Sequence, residues 1–112
     1  MIEVKYTRSG CEGHIEITGH AGYAEPGKDI VCAAVSTLAQ TLAASLEKLT
    51  PDSVGYDLEP GHMEIYHGTL SERGKYLIKS FFIGVNMVAE QYPDYVKVML
   101  PKLVNYGKIT YI

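Results

Sequence analysis

Hydrophobic positions recur along this chain with two periods, and the switches between them mark out its elements. Ile2, Val4 and Tyr6 alternate with Glu3, Lys5 and Thr7, the period of a strand buried on one face. Residues 9–13, Ser-Gly-Cys-Glu-Gly, read as a turn, and alternation resumes at Ile15 and Ile17. A hairpin is therefore predicted. After Asp29 the spacing changes to threes and fours through Val31, Val35, Leu38, Leu42, Leu46 and Leu49, the apolar stripe of an amphipathic helix. A strip of small residues (Ala33, Ala34, Ala39, Ala43, Ala44) runs beside it and leaves room for another element to approach closely. Pro51 ends the helix, because proline disfavours helical geometry in the residue before it.

Val54, Tyr56 and Leu58 alternate next, Pro60-Gly61 suits the centre of a type II turn, and Met63 and Ile65 continue the pattern. This is a second predicted hairpin. Thr69 and Glu72 have the spacing of a capping box, opening a helix with Leu77, Ile78, Phe81, Val85, Val88 and Tyr92 on one face. Pro93 stops it, and Val96, Val98 and Leu100 alternate as a fifth strand. Residues 101–112 are less regular: Leu103-Val104 and the segment 109–112 make a further strand or pack against a partner. The order ββαββαβ implies an α+β fold, a single layer of mostly antiparallel sheet packed against two amphipathic helices. With 112 residues, 46% of them hydrophobic, and no linker or repeat, residues 1–112 read as one domain with one core.

Composition narrows the function classes. The net charge is −3 and the ten basic residues are scattered, so the basic stripe that nucleic-acid binding needs is missing. The first residues, Met-Ile-Glu-Val-Lys-Tyr, lack the basic and apolar regions of a signal peptide, and no stretch is expected to cross a membrane. The two cysteines, Cys11 and Cys32, then read as reduced thiols in a cytoplasmic protein.

The chemistry concentrates in residues 19–36. Cys32 falls in the first turn of the predicted helix, where the dipole and free amides favour a thiolate and could receive an oxyanion. His20, twelve residues upstream, is the nearest candidate base. Strict alternation would put His20 with Glu16 and Thr18 on the face opposite the core, but Gly19 and Gly22 permit a bend that redirects it. Asp29 is either the helix N-cap or the group that orients His20, the cap being favoured. Ser36, one turn beyond Cys32, shares its face and could bond thiol, substrate or its own helix backbone. The segment 22–28, with Gly22, Tyr23, Pro26 and Gly27, is either a substrate-gating lid or a plain connector. Zinc held by Cys11, His14, His20 and Cys32 is disfavoured, since only Cys11 and His14 have ligand spacing. His62 and His67 read as surface residues.

The blocks Gly19-His20-Ala21-Gly22 and Gly27-Lys28-Asp29-Ile30-Val31-Cys32-Ala33-Ala34-Val35-Ser36 closely resemble the ribosomal-processing cysteine protease family of bacteria, called Prp. The resemblance runs over about the first hundred residues. It implies a cytoplasmic, homodimeric endopeptidase that removes a short, apolar N-terminal extension from a large-subunit ribosomal protein. On the matching positions it implies His20 and Cys32 as the catalytic pair, Asp29 and Ser36 as supporting residues, and a mobile loop at 22–28. No cofactor or metal is expected. Two rivals remain: a non-enzymatic binding module in ribosome assembly, and an amidase or acyl transferase using the same pair.

Overall fold

The computed structural model describes residues 1–25, 28–100, 102–105 and 108–111. Its elements are β1 (Ile2–Ser9), β2 (Glu12–Thr18), α1 (Ile30–Leu49), β3 (Val54–Glu59), β4 (His62–His67), α2 (Glu72–Gln91), β5 (Val96–Met99), β6 (Lys102–Asn105) and β7 (Lys108–Tyr111). The first five strands form one mixed sheet in the order β3-β4-β2-β1-β5. Both predicted hairpins are present, and β2 and β4 join them antiparallel at the centre, pairing Ile15 with Ile65 and Ile17 with Met63. After α2 the chain returns to lay β5 parallel to β1, Ile2 opposite Val96. The α+β reading therefore holds. In the C-terminal stretch, β6 and β7 pair with each other in a separate two-stranded ladder.

Alternation puts Ile2, Val4, Tyr6, Ile15, Ile17, Met63, Ile65 and Val96 on one face, all buried. Against them α1 sets Val31, Val35, Ala39, Leu42, Ala43 and Leu46, and α2 sets Ile78, Phe81, Phe82 and Val85. Ala39 and Ala43, from the small-residue strip, are buried in this core. Between the helices the small residue comes from α2, where a Cβ on Gly84 would stand 2.9 Å from Leu38. Leu49, expected on the apolar stripe, is exposed.

Three expectations are corrected. Helix α2 begins later than the capping box implies: Ser71 is its N-cap, accepting from Gly74 N, and Asp52 grips Ser71 through both its amide and its hydroxyl. His67 is a core residue at 4% exposure, not a surface one. Its Nδ1 donates to Gly68 O at 2.7 Å, and Tyr6 Oη donates to its Nε2 at 2.6 Å. Burial pushes the His67 pKa below the ordinary histidine value and the Tyr6 pKa above the ordinary tyrosine value. Gly13 makes room for this ring, since a Cβ there would collide with it. Lastly, α1 is long and apolar enough to cross a membrane, with 20 residues and a mean hydropathy of 1.4. Here that apolar stripe is spent on the sheet.

Candidate active site

Strand β2 ends at Thr18, and the next residue decides where His20 goes. Gly19 adopts φ +89°, a left-handed conformation that bends the chain out of strand register. A Cβ there would also collide with the carbonyl of Met1, so the bend needs glycine twice over. Gly19 N donates to Gly61 O at 3.0 Å, which ties the end of β2 to the β3–β4 turn. Gly61 has φ +80°, as the second central residue of a type II turn requires. The imidazole of His20 lies against this turn: a Cβ on Gly61 would stand 2.8 Å from its Nε2. His20 thus leaves the outer face and lines a cavity of about 110 Å³ with Cys32, Ser36, Pro60, Gly61 and Met63.

Cys32 is the third residue of α1 and half-buried. Asp29 caps that helix, its Oδ1 accepting from Val31 N and Cys32 N, both at 3.0 Å. Its Oδ2 accepts from Tyr23 N at 3.0 Å and Ala24 N at 3.4 Å. These amides, that of Cys32 first, hold the carboxyl below the usual aspartate range. Both oxygens are occupied by backbone amides, so Asp29 acts as a clamp between loop and helix. No hydrogen bond links it to His20 among the described residues.

The clamp changes the expected electrostatics. Val31 N and Cys32 N, the amides that an Asp29 cap is expected to bond, are spent on it and drop out of the first-turn donors available to the sulfur or an oxyanion. The donor at the sulfur comes from elsewhere: Ala21 N lies 3.3 Å from Cys32 Sγ and donates to it. Sequence reasoning missed both this amide and Gly61, because a backbone donor and the space above a glycine leave no side-chain signature. Cys32 and His20 share the cavity, but no hydrogen bond joins their side chains among the described residues. Hydrogen bonds of this kind are often long before substrate binds.

In the segment 22–28, Gly22 has φ +70° and Lys28 N donates to Glu25 O at 2.9 Å. Tyr23 stands edge-on to Tyr92 and Tyr95, centroids 5.4 and 5.3 Å apart, which ties the loop to the end of α2. Pro26 and Gly27 of the expected gating loop lie outside the described residues. The disfavoured zinc set does not assemble. Cys11 is exposed, and His14 sits on the outer face, 3.3 Å from Glu64. A larger hollow of about 600 Å³ lies beside Arg8, His14 and Tyr66 and contains no cysteine.

A thiol bonded by a backbone amide and sharing a cavity with an imidazole makes a peptidase site chemically sensible, and comparison with known proteins bears on that directly. The family model for cysteine protease Prp matches residues 1–97. No curated protein matches the chain. Among solved structures, the Staphylococcus aureus ribosomal processing protease Prp with a covalently linked product peptide has a TM-score of 0.80 at 22% identity, covering 88% of this chain and 98% of that one. The same protease with a substrate peptide has a TM-score of 0.71 at 20% identity, covering 88% and 97%. SMU.848 from Streptococcus mutans is 34% identical with a TM-score of 0.65, covering 88% and 92%. The matched span contains every element from β1 to α2 and the whole cavity, so the chain belongs to the Prp family of cysteine proteases.

Proposed function

We propose that this cysteine protease removes a short N-terminal extension from a protein of the large ribosomal subunit, with Cys32 as nucleophile and His20 as general base. The observation that carries the reading is that the Cys32 sulfur, bonded by Ala21 N–H, and the His20 ring line one cavity. Support for the substrate class comes from the family match and from the fold shared with a ribosomal processing protease that holds a substrate peptide.

In the proposed sequence, His20 takes the thiol proton and the sulfur attacks the scissile carbonyl, forming a C–S bond. When the tetrahedral adduct collapses, the C–N bond breaks and the imidazolium protonates the departing amine. A water deprotonated by His20 then attacks the thioester, releasing the acid and restoring the thiol. Ser36, on the same cavity wall, supports substrate placement, and the loop around Gly22 and Tyr23 admits it. We place the enzyme in the cytoplasm as a homodimer. Nothing in its charge pattern calls for contact with nucleic acid.

The test is to incubate the protein and its Cys32→Ala variant with the large-subunit proteins of its own organism and read their N-termini by mass spectrometry. One protein shortened by the wild type alone is the expected result. If none is shortened while the same protein is still bound, the site serves a non-enzymatic assembly module.

A further inference from the structure

The sheet face turned away from the helices carries a cluster that peptide cleavage does not use. Across β3, β4 and β2, Asp57 lies directly opposite Glu64, and Glu64 directly opposite Glu16. Like charges opposed in this way destabilise a ladder. Lys5 ends the row opposite Glu16, yet the two form no ion pair among the described residues. Glu64 is faced by the Tyr66 hydroxyl and by two imidazoles instead. His14 Nε2 lies 3.3 Å, and His62 Nε2 3.5 Å, from the same atom, Glu64 Oε1. His14 Nε2 is withdrawn from solvent and has no hydrogen-bond partner. Its ring is held in place by Tyr66, stacked at 4.4 Å with planes 3° apart. One donor atom from each of His14, Glu16 and Glu64 lies within 4.8 Å of the others.

We propose that His14, Glu16 and Glu64, with His62 in reach, form a binding site for a divalent transition-metal ion of the zinc class. Bonds of about 2.0–2.2 Å around a tetrahedral zinc separate neighbouring donors by about 3.3–3.6 Å. The two imidazole-to-Glu64 distances match that edge length. Imidazole mixed with carboxylate suits zinc, nickel or copper, whereas magnesium and calcium take oxygen ligands. A dication here also offsets two of the three negative charges in the row of opposed carboxylates, so binding stabilises the sheet. The strand alternation that buries Ile15, Ile17 and Ile65 puts this site on the face opposite the Cys32 cavity. The inference therefore stands apart from the peptidase reading.

Thiols compete for zinc, so the test uses the full chain as a Cys11→Ser/Cys32→Ala double variant. Zinc chloride is titrated calorimetrically and thermal unfolding is followed with and without it. Saturable one-to-one binding is expected, with a Tm that climbs as zinc increases and does not respond to equal magnesium. His14→Gln and Glu64→Gln, added to that background, each weaken binding at least about tenfold. Unfolding of the metal-free variants shows that they still fold. Absence of saturable binding overturns the proposal. So does zinc affinity that both substitutions leave unchanged, or magnesium binding as tight as zinc.

Discussion

His20 and His67 both stand where a strand finishes, one just beyond β2 and the other as the last residue of β4, and they meet opposite fates. His67 is buried with both ring nitrogens bonded, one to a backbone carbonyl and one to the Tyr6 hydroxyl. Burial disfavours its charged form, and with both nitrogens taken the ring is not placed to exchange protons with a substrate. His20 is exposed and rests on the space above a glycine in the Cys32 cavity. Each position depends on a glycine without a Cβ, Gly13 for His67 and Gly61 for His20. What separates structural from chemical histidine here is the number of fixed partners, since residue type and strand-end position are shared.

The largest test of that contrast is activity. Cys32→Ala should abolish cleavage, and His20→Ala should lower kcat/KM by about 10²–10⁴-fold, both with a near-wild-type Tm. Peptide cleavage assays combined with thermal unfolding check this, and a His20→Ala protein that cleaves normally would remove His20 from the chemistry. Next in size is Gly61→Ala. Its methyl group would displace the imidazole, and misplacement by about 1 Å costs about a hundredfold in rate. Gly10→Ala is the control. Gly10 also has a left-handed φ, +59°, but an added Cβ there meets open space, so it shows the backbone strain without the collision. Gly61→Ala is expected to lose far more activity than Gly10→Ala for a similar loss of Tm.

On the His67 side, the effects fall on stability. Burial depresses its folded-state pKa, so below about pH 6.5 the unfolded chain binds a proton that the native state refuses. Stability is thus present in full above that pH and declines as the pH falls towards the depressed value. Unfolding temperatures measured from pH 7.5 down to 5.5 should show the decline, and His67→Gln should flatten it. Tyr6→Phe removes the 2.6 Å bond to the ring and should cost about 1 kcal/mol by denaturant unfolding, with cleavage unchanged. The smallest effect is expected for Asp29→Asn. Asparagine keeps an oxygen for the α1 amides and caps about as well, but its NH2 group cannot accept from Tyr23 N and Ala24 N, so the loop half of the clamp loosens while kcat/KM stays within a few-fold of wild type. A collapse in rate would mean that the Asp29 charge, or its hold on Tyr23 N and Ala24 N, serves the chemistry.

Much of this was legible in the chain itself. The alternations around Ile15, Ile65 and Val96 and the three-four spacing after Asp29 set five strands, two helices and the buried face of each. They do so because side-chain direction follows from backbone period alone. The Asp29 cap is equally local, with its partners two and three residues away. The start of α2 is not legible locally, because Ser71 is held by Asp52, which is distant in sequence and leaves no mark near Thr69.

Tertiary structure decided the rest, and in each case the deciding partner is remote in the chain. Alternation with Met63 and Ile65 already turns His67 inward, unlike His62, but its pairing with Tyr6, 61 residues away, leaves no mark in the local sequence. The parallel docking of β5, the turn of His20 away from the outer face, and the Ala21 amide on the Cys32 sulfur likewise depend on groups that meet only when the sheet closes. Periodicity specifies which way a side chain faces; it carries no information about what waits for it there.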